Sequence, residues 1–288
     1  MRFHTFACVA CTGQLLLAVA FSVVAANMLQ AQTVVPGTGE RVLGAGDNFE
    51  DTSWEFQNHF PKGSHNVDGQ IREPRGISKN GLWYESAKRG QPDVLKRVAP
   101  PAGGLLGSKG AQLMRTLYSA IPERVGRGSH QDDLLFDTSP AIPVSQSPSV
   151  VVCVYLSPLD EWENHTGTSF GLRTAIEATV WQRSKGIFFS RRVRKRETYF
   201  PGIFIQFNSQ TAGQEKDSAI FILRGGDDGK DYLGPEITQT GWWTLGISFT
   251  SDGRAHYYAS PGVDDLKPED RIAFFAVRSL RAVLHVLL

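Results

Sequence analysis

Short apolar runs separated by Gly, Pro, Asn and Asp extend along the chain from Asp47 onward. Runs of this length at fairly regular spacing are typical of strands in a β-sandwich or barrel, and helical periodicity is nearly absent between them. The pattern predicts an all-β fold, a two-sheet antiparallel β-sandwich of jelly-roll type. The candidate strands span residues 81–86, 111–118, 150–156, 169–175, 178–182, 187–190, 202–208, 219–223, 242–250 and 255–259.

The run over 202–208 alternates clearly, because Ile203, Ile205 and Phe207 recur at every second position. Successive side chains of a strand point to opposite faces of the sheet. One face of this strand is therefore predicted to pack into the core.

The clearest local geometry is a hairpin, in which two β-rich runs are joined through Asp252 and Gly253. Glycine tolerates the positive φ that such a tight turn requires. The first strand has a set of apolar residues that is predicted to cover the core: Trp243, Leu245, Ile247 and Phe249. The second strand has one face that is predicted to be the solvated side of the sheet: Arg254, His256 and Tyr258.

Composition narrows the class of protein. The chain has 288 residues, with 30 Lys+Arg against 29 Asp+Glu, and 41% of the residues are hydrophobic. This balance excludes a disordered chain, an acidic solvating protein and a generally basic nucleic-acid binder. Length and pattern together predict one domain over 47–272.

The first 26 residues have the pattern of an export signal. Arg2 precedes an uninterrupted apolar run over 15–26 that ends in small residues. This run is shorter than the roughly 20 apolar residues of a membrane-spanning helix, so cleavage after Ala26 is favoured over a retained membrane anchor. We therefore expect a secreted, periplasmic or cell-envelope protein without a membrane span after cleavage, with residues 27–46 as a linker.

Two motifs carry a family resemblance. The hairpin combines a Trp-led strand, an Asp-Gly turn and an aromatic second strand, followed by Ser260-Pro261-Gly262. This unit resembles the concanavalin A-like, laminin-G-like sandwich group. The opening over 48–54 (NFEDTSW) is similar to the start of many secreted jelly-roll, carbohydrate-binding-like domains. The resemblance implies a sandwich fold but no single activity, because the group includes lectins, enzymes and adhesion modules.

The resemblance also implies a structural calcium ion near the N-terminal strand, with Asp47, Glu50 and Asp51 as candidate ligands. Calcium takes about six to eight oxygen ligands, so three carboxylates would supply only part of a site. The alternative is that these acids begin a strand and face water.

A cluster of cations is the sharpest charge feature: Arg191, Arg192, Arg194, Lys195 and Arg196. One interpretation is a charged strand edge that prevents pairing between sheets of different molecules. The other is a patch that binds an anionic glycan, because arginine forks match the geometry of sulfate and carboxylate groups. Nucleic acid fits less well with export and with a neutral remainder of the chain.

Trp162 and Trp242 are candidate platforms for sugar rings. Trp162 lies between Glu161 and Glu163, and paired carboxylates are what glycoside hydrolysis requires, but a solvated acidic loop explains the pair as well. Arg254, His256 and Tyr258 contain the ingredients of a lyase site without any spacing that shows convergence. No catalytic residue is assigned.

The tail over 273–288 departs from the sandwich pattern. Arg278, Arg281 and His285 are spaced three and four apart, which predicts a short C-terminal helix. The alternatives are an altered gene end and a lipid-anchor signal, against which the tail arginines argue.

The sequence thus predicts an exported, non-catalytic module that binds carbohydrate or another surface, with anionic polysaccharide as one candidate ligand. A polysaccharide-degrading hydrolase or lyase on the same fold and a cell-envelope adhesion domain are the alternatives. The sequence does not predict an oligomeric state.

Overall fold

The computed structural model describes residues 34–59, 70–87, 89–117, 132–136, 141–184, 191–225, 229–276 and 283–287. In these residues the only helical segments are short 3-10 turns at Val144–Gln146, Leu159–Glu161, Gln210–Ala212 and Pro268–Asp270. The strands are β1 (Phe56–Gln57), β2 (Ile77–Ser78), β3 (Trp83–Glu85), β4 (Val94–Val98), β5 (Ala111–Arg115), β6 (Leu134–Phe136), β7 (Ile142–Pro143), β8 (Ser149–Leu156), β9 (Ser169–Ser184), β10 (Arg191–Tyr199), β11 (Gly202–Asn208), β12 (Ser218–Arg224), β13 (Asp231–Ile237), β14 (Gly241–Phe249), β15 (Arg254–Pro261), β16 (Arg271–Ala276) and β17 (Val283–Leu287).

Antiparallel sheets build the fold, as the sequence predicted. The large sheet has the strand order β1-β2-β3-β6-β17-β9-β11-β12-β13, with β10 paired to β9 and β7 paired to β17. A second sheet has the order β16-β15-β14-β8, and β4 and β5 form a separate two-stranded sheet. The chain is therefore an all-β protein of the sandwich class.

The main core contains apolar side chains from both larger sheets. Ile203 and Ile205 are fully buried, as the alternation in β11 predicted, and so are Leu245 and Ile247 of β14. Phe221 of β12 meets Trp243 of β14 edge to face, with the ring centroids 5.4 Å apart. Both predicted core faces are thus confirmed.

A second apolar cluster lies at the opposite end of the large sheet. It contains the buried residues Trp54, Phe56, Trp83, Leu95, Leu134 and Phe136. The carboxylate of Asp47 accepts the indole N–H of Trp54 at 3.1 Å and that of Trp83 at 2.9 Å. The opening segment over 48–54 is therefore tied to β3 through Asp47.

The predicted hairpin is present, because β14 and β15 pair in antiparallel register around Asp252-Gly253. Gly253 has φ +82°, the conformation that favours glycine at this turn. The prediction that the face of His256 and Tyr258 is solvated is wrong: these side chains are only 4% and 1% exposed. Burial and the charges of Arg271 and Arg254 lower the pKa of His256, although Asp252 opposes this.

The outer face of β14 is buried because two further segments lie against it. A Cβ atom at Gly246 would come within 2.6 Å of Leu266 and 2.8 Å of Pro36. Leu266 is buried, and so is Pro36, which falls in the predicted linker over 27–46. The compact unit that contains the strands begins at Thr33, so the described part of the predicted linker packs on the sandwich.

The tail departs from the prediction of a C-terminal helix. Arg271–Ala276 forms β16, which pairs with β15, and Val283–Leu287 forms β17, which pairs with β6, β7 and β9. The helical spacing does not hold for the described part of the tail, because β17 lies between β6 and β9 of the large sheet, and the sequence does not show that these strands are its partners. Residues 277–282, which include Arg278 and Arg281, lie outside the described part of the chain. The sandwich therefore extends past the predicted boundary at residue 272.

The predicted export signal lies outside the described residues. Among the residues that the structure describes, there is no helix with the length and apolar character of a bilayer span.

We expect Gly246→Ala to destabilise the protein by about 1–3 kcal/mol, because the added methyl group would overpack the contact with the Pro36 ring and Leu266. Urea unfolding measures this. Glycine-to-alanine changes in an uncrowded strand are otherwise favourable. The sign of the change in unfolding free energy therefore shows whether Pro36 and Leu266 pack on this position.

The matched control is Gly39→Ala in the same N-terminal segment. A Cβ atom at Gly39 would meet no atom within 4 Å, so its unfolding free energy should stay within about 0.5 kcal/mol of the parent. Equal stability of the Gly246 variant and the parent would show that Pro36 and Leu266 do not cover this face.

Candidate functional site

The predicted cation cluster lies on a long two-stranded hairpin. β10 pairs with the second half of β9 from Arg191↔Ser184 to Tyr199↔Ile176. The other neighbours of β9, the strands β11 and β17, pair with its first half, at residues 169–176. Within the described residues, the outer part of this hairpin therefore has only its own two strands, which leaves the cations accessible.

Strand alternation places three of the five predicted cations on one face of β10: Arg192, Arg194 and Arg196. We call this set the arginine ribbon. All three side chains are exposed, and successive members lie roughly 6.6 Å apart along the strand. The guanidinium of Arg196 is 82% exposed and approaches Glu177 at 3.6 Å, a distance at which an exposed pair contributes little to stability.

The other face of β10 carries a smaller polar network. Lys195 contacts Glu197 at 3.3 Å, and the Tyr199 hydroxyl donates to Glu197 at 2.8 Å. These hydrogen bonds lower the pKa of Glu197. Arg191 begins β10, and its side chain lies outside the described part of the structure. The five predicted cations are thus divided between two faces.

The face of the arginine ribbon continues onto the main body of the large sheet. Thr198 pairs with Glu177, and Glu177 lies four residues from Arg173 on β9, so both belong to the same face. Gly202 of β11 pairs with Arg173 on one side and with Arg224 of β12 on the other. We call these three aligned residues the arginine row.

Two carboxylates neutralise part of the arginine row. Arg173 donates from Nη2 to Oδ2 of Asp133, and Arg89 approaches the same oxygen from Nε at 3.6 Å. Arg224 donates from Nε and Nη2 to Asp231, at 2.7 and 2.9 Å. The arginine row and its neighbours therefore form a compact network of five charged groups.

Burial governs the electrostatics of this network. Desolvation lowers the pKa of Arg173 to about 10, and the charges of Arg89 and Arg224 add to the shift. Desolvation likewise raises the pKa of Asp133, against the attraction of its arginine partners. The hydrogen bond from Arg224 to Asp231 raises the pKa of Arg224. Additional negative charge near Arg173 would relieve its unfavourable environment.

Aromatic rings hold the guanidinium groups of the row. The Arg173 guanidinium lies 5.4 Å from the centroid of Phe200, and that of Arg224 lies 5.1 Å from the centroid of Phe204. A Cβ atom at Gly202 would come within 2.7 Å of the Phe204 ring, so glycine allows this ring to lie across the strand. Contact with an aromatic ring restrains a guanidinium group. Its N–H donors point outward in the plane of the group and can still form hydrogen bonds.

The two predicted tryptophan platforms contact other residues of the protein. The Trp162 ring packs on Phe207 and Phe170, with centroids 5.7 and 5.4 Å away. The Trp242 indole donates to the carbonyls of Pro101 and Ala102. Both rings are half-buried. Their role as platforms for a sugar ring stays a prediction.

The three predicted calcium ligands do not converge. Asp47 accepts hydrogen bonds from Trp54, Trp83 and Asn80, Glu50 accepts from Ser108 and Lys109, and Asp51 accepts from Ser53. In the described ranges, no three His, Cys, Asp or Glu side chains form a group that fits a metal ion. Protein donors bind these carboxylates, so the described residues give no support to the calcium site that the resemblance implies.

The residues considered for catalysis are scattered. Glu161 ends a 3-10 turn. His256 and Tyr258 are buried within the second sheet and its cover. Two shallow depressions border β2, and the residues that line them include none of the predicted binding residues: Glu55, Gln57, Glu73, Arg75, Gly76, Ile77, Ser78, Lys79, Gly81 and Tyr84.

No protein-family model, curated protein or solved structure matches this chain. The concanavalin A-like resemblance therefore stays a prediction, and the functional argument depends on the geometry of the chain itself.

We expect Asp47→Asn to destabilise the protein by about 1–3 kcal/mol, because the amide replaces one acceptor oxygen of a carboxylate that binds two indole N–H groups and the amide of Asn80. Chemical denaturation checks this.

Asp51→Asn is the matched control, since Asp51 is exposed and its carboxylate accepts hydrogen bonds from the backbone N–H and the hydroxyl of Ser53 in the described region. Its effect should stay within about 0.5 kcal/mol. Millimolar calcium should leave both variants and the parent unchanged, and a calcium-dependent rise in the stability of the parent alone would contradict the assignment.

Proposed function

We propose that this protein is a non-catalytic module that binds an anionic polysaccharide along the outer face of its large sheet. The observation that carries the proposal is the arginine ribbon, in which Arg192, Arg194 and Arg196 are exposed on one face of an extended hairpin. The ribbon suits an extended polymer, because its regularly spaced guanidinium groups can pair with successive charged groups of the polymer.

The local charge balance of the ribbon supports this proposal. Glu177 approaches Arg196 of the ribbon, and this contact is exposed and 3.6 Å long. Exposed pairs of this kind contribute about 0–1 kcal/mol. A polyanion can therefore displace Glu177 at little energetic loss and release the counterions that surround the ribbon.

The class of polyanion follows from the rest of the chain. Cations and anions are nearly equal in number, at 30 and 29, so the surface lacks the overall positive charge that is typical of nucleic-acid binders. Export, if the predicted signal operates, would bring the ribbon to sulfated or uronic acid polymers. Arginine forks bind sulfate and carboxylate groups through paired N–H donors.

Strand-edge protection is the competing explanation for these cations, because charged residues prevent the edges of sheets from pairing between molecules. Charge alone satisfies that role, so lysine would serve as well as arginine. Polysaccharide binding through forked hydrogen bonds would distinguish the two residue types.

The ribbon variant Arg192→Ala, Arg194→Ala, Arg196→Ala should bind dextran sulfate at least about tenfold more weakly than the parent at about 150 mM NaCl. The slope of log affinity against log salt concentration should also be smaller in magnitude by about two, because the three removed charges no longer cause counterion release. Isothermal titration calorimetry at several salt concentrations, with polygalacturonate as a second polymer, measures both quantities.

Two controls accompany this test. A charge-matched variant with exposed cations removed elsewhere, at Arg41, Lys96 and Lys216, should retain the parent's affinity. Replacement of the three ribbon arginines by lysine should keep the salt dependence and lose part of the affinity. Equal affinity of parent and ribbon variant, or equal binding to neutral dextran, would overturn the proposal.

A further inference from the structure

The arginine row and the neighbouring Arg89 carry a surplus of positive charge in a poorly solvated position. Arg89, Arg173 and Arg224 supply three positive charges to the network, while Asp133 and Asp231 supply two negative charges. Among the residues that the structure describes, one positive charge of the network therefore has no counterpart. Such a charge is unfavourable away from water unless an anion approaches it.

The surplus is centred on Arg173. Its guanidinium shares a single carboxylate oxygen, Oδ2 of Asp133, with Arg89. Its Nε atom is buried without a hydrogen-bond partner, and the residue is 8% exposed. Buried N–H groups without partners are rare in folded proteins, so this atom indicates a binding capacity that the protein's described groups do not fill.

We propose that the arginine row binds one oxyanion group carried by a sugar, a carboxylate or a sulfate, beside Arg173. Arg89 and Arg224 border the site, with side chains 24% and 27% exposed. Each guanidinium has five N–H donors, so Arg89 and Arg224 have donors beyond those that contact Asp133 and Asp231. These donors are the groups that bind the incoming oxyanion.

The rings of Phe200 and Phe204 shape the site. Each ring holds one guanidinium of the row by stacking, so the arginine planes are ordered before a ligand binds and lose little freedom on binding. Phe200 is 41% exposed. An exposed ring next to an anion site gives a sugar ring an apolar surface on which its C–H face can pack.

This inference rests on the proposed function for the kind of ligand, since the row lies on the same face as the arginine ribbon. The ribbon has highly exposed cations, whereas the row has partly buried cations in a network of ion pairs. The ribbon therefore supplies affinity for a polymer through charge, and the row discriminates between the chemical groups that the polymer carries.

The test is a titration of the full chain with D-glucuronate and with glucose 6-sulfate, followed by NMR of the arginine Nε–H signals at constant ionic strength. We expect saturable shifts of the signals of Arg89, Arg173 and Arg224 with one or both ligands. D-glucose, the neutral control, should leave these signals in place.

Variants assign the effect to the row. Arg89→Gln and Arg224→Gln should each weaken binding about tenfold or more, because each removes charge-assisted hydrogen bonds. Both keep the Arg173–Asp133 ion pair, so the fold should persist, and thermal unfolding verifies this. Arg254→Gln, which removes an exposed arginine of the second sheet, should bind like the parent.

The outcomes separate this site from the ribbon. The ribbon triple-alanine variant should bind the monosaccharides like the parent even though it loses affinity for the polymer. Monosaccharide binding without polymer binding would support the row and overturn the proposed function. Absence of saturable shifts at the row, or equal shifts with D-glucose, would overturn this inference whatever the polymer does.

Discussion

The burial of β14 on both of its faces is the constraint on which the rest of the structure depends. Its inner face packs Trp243 against Phe221 of the large sheet. Its outer face includes Gly246, which lies under Pro36 and Leu266. At this point of the strand, both faces are covered and no surface is left for a ligand.

The binding face that we propose is the other outer face, that of the large sheet. There β9 extends beyond the body of the sandwich and pairs with β10, whose alternating arginines face outward. The same face then reaches the arginine row, where Gly202 separates Arg173 from Arg224. Exposed cations at one end and partly buried cations at the other provide two electrostatic environments on a single face, because desolvation strengthens charge interactions.

The sequence predicted the sandwich well, because alternating positions in β11 and β14 report directly on burial. It failed where a surface is covered by distant chain: His256 and Tyr258 occupy alternate positions as solvated residues do, yet they are buried. The helix prediction for the tail was wrong at β17 for a similar reason, since this strand pairs with β6 and β9, which are distant in the sequence.

The candidate site was predictable only in part. A dense run of cations marked the arginine ribbon, but strand pairing divided the run between two faces. The arginine row left no local signal, because Arg173, Gly202 and Arg224 become neighbours through the register of three strands. The sequence shows Arg173 within an apolar run and Arg224 at the end of another, but it does not show that the two residues become neighbours.

Arginine-specific chemical footprinting by mass spectrometry tests the central claim most directly. The intact chain is treated with phenylglyoxal in the presence and absence of dextran sulfate. We predict protection of Arg192, Arg194, Arg196 and Arg224, with unchanged modification of Arg254 and Arg271 on the second sheet. Protection confined to Arg254 and Arg271, or no protection at all, would contradict the assignment of binding to the outer face of the large sheet.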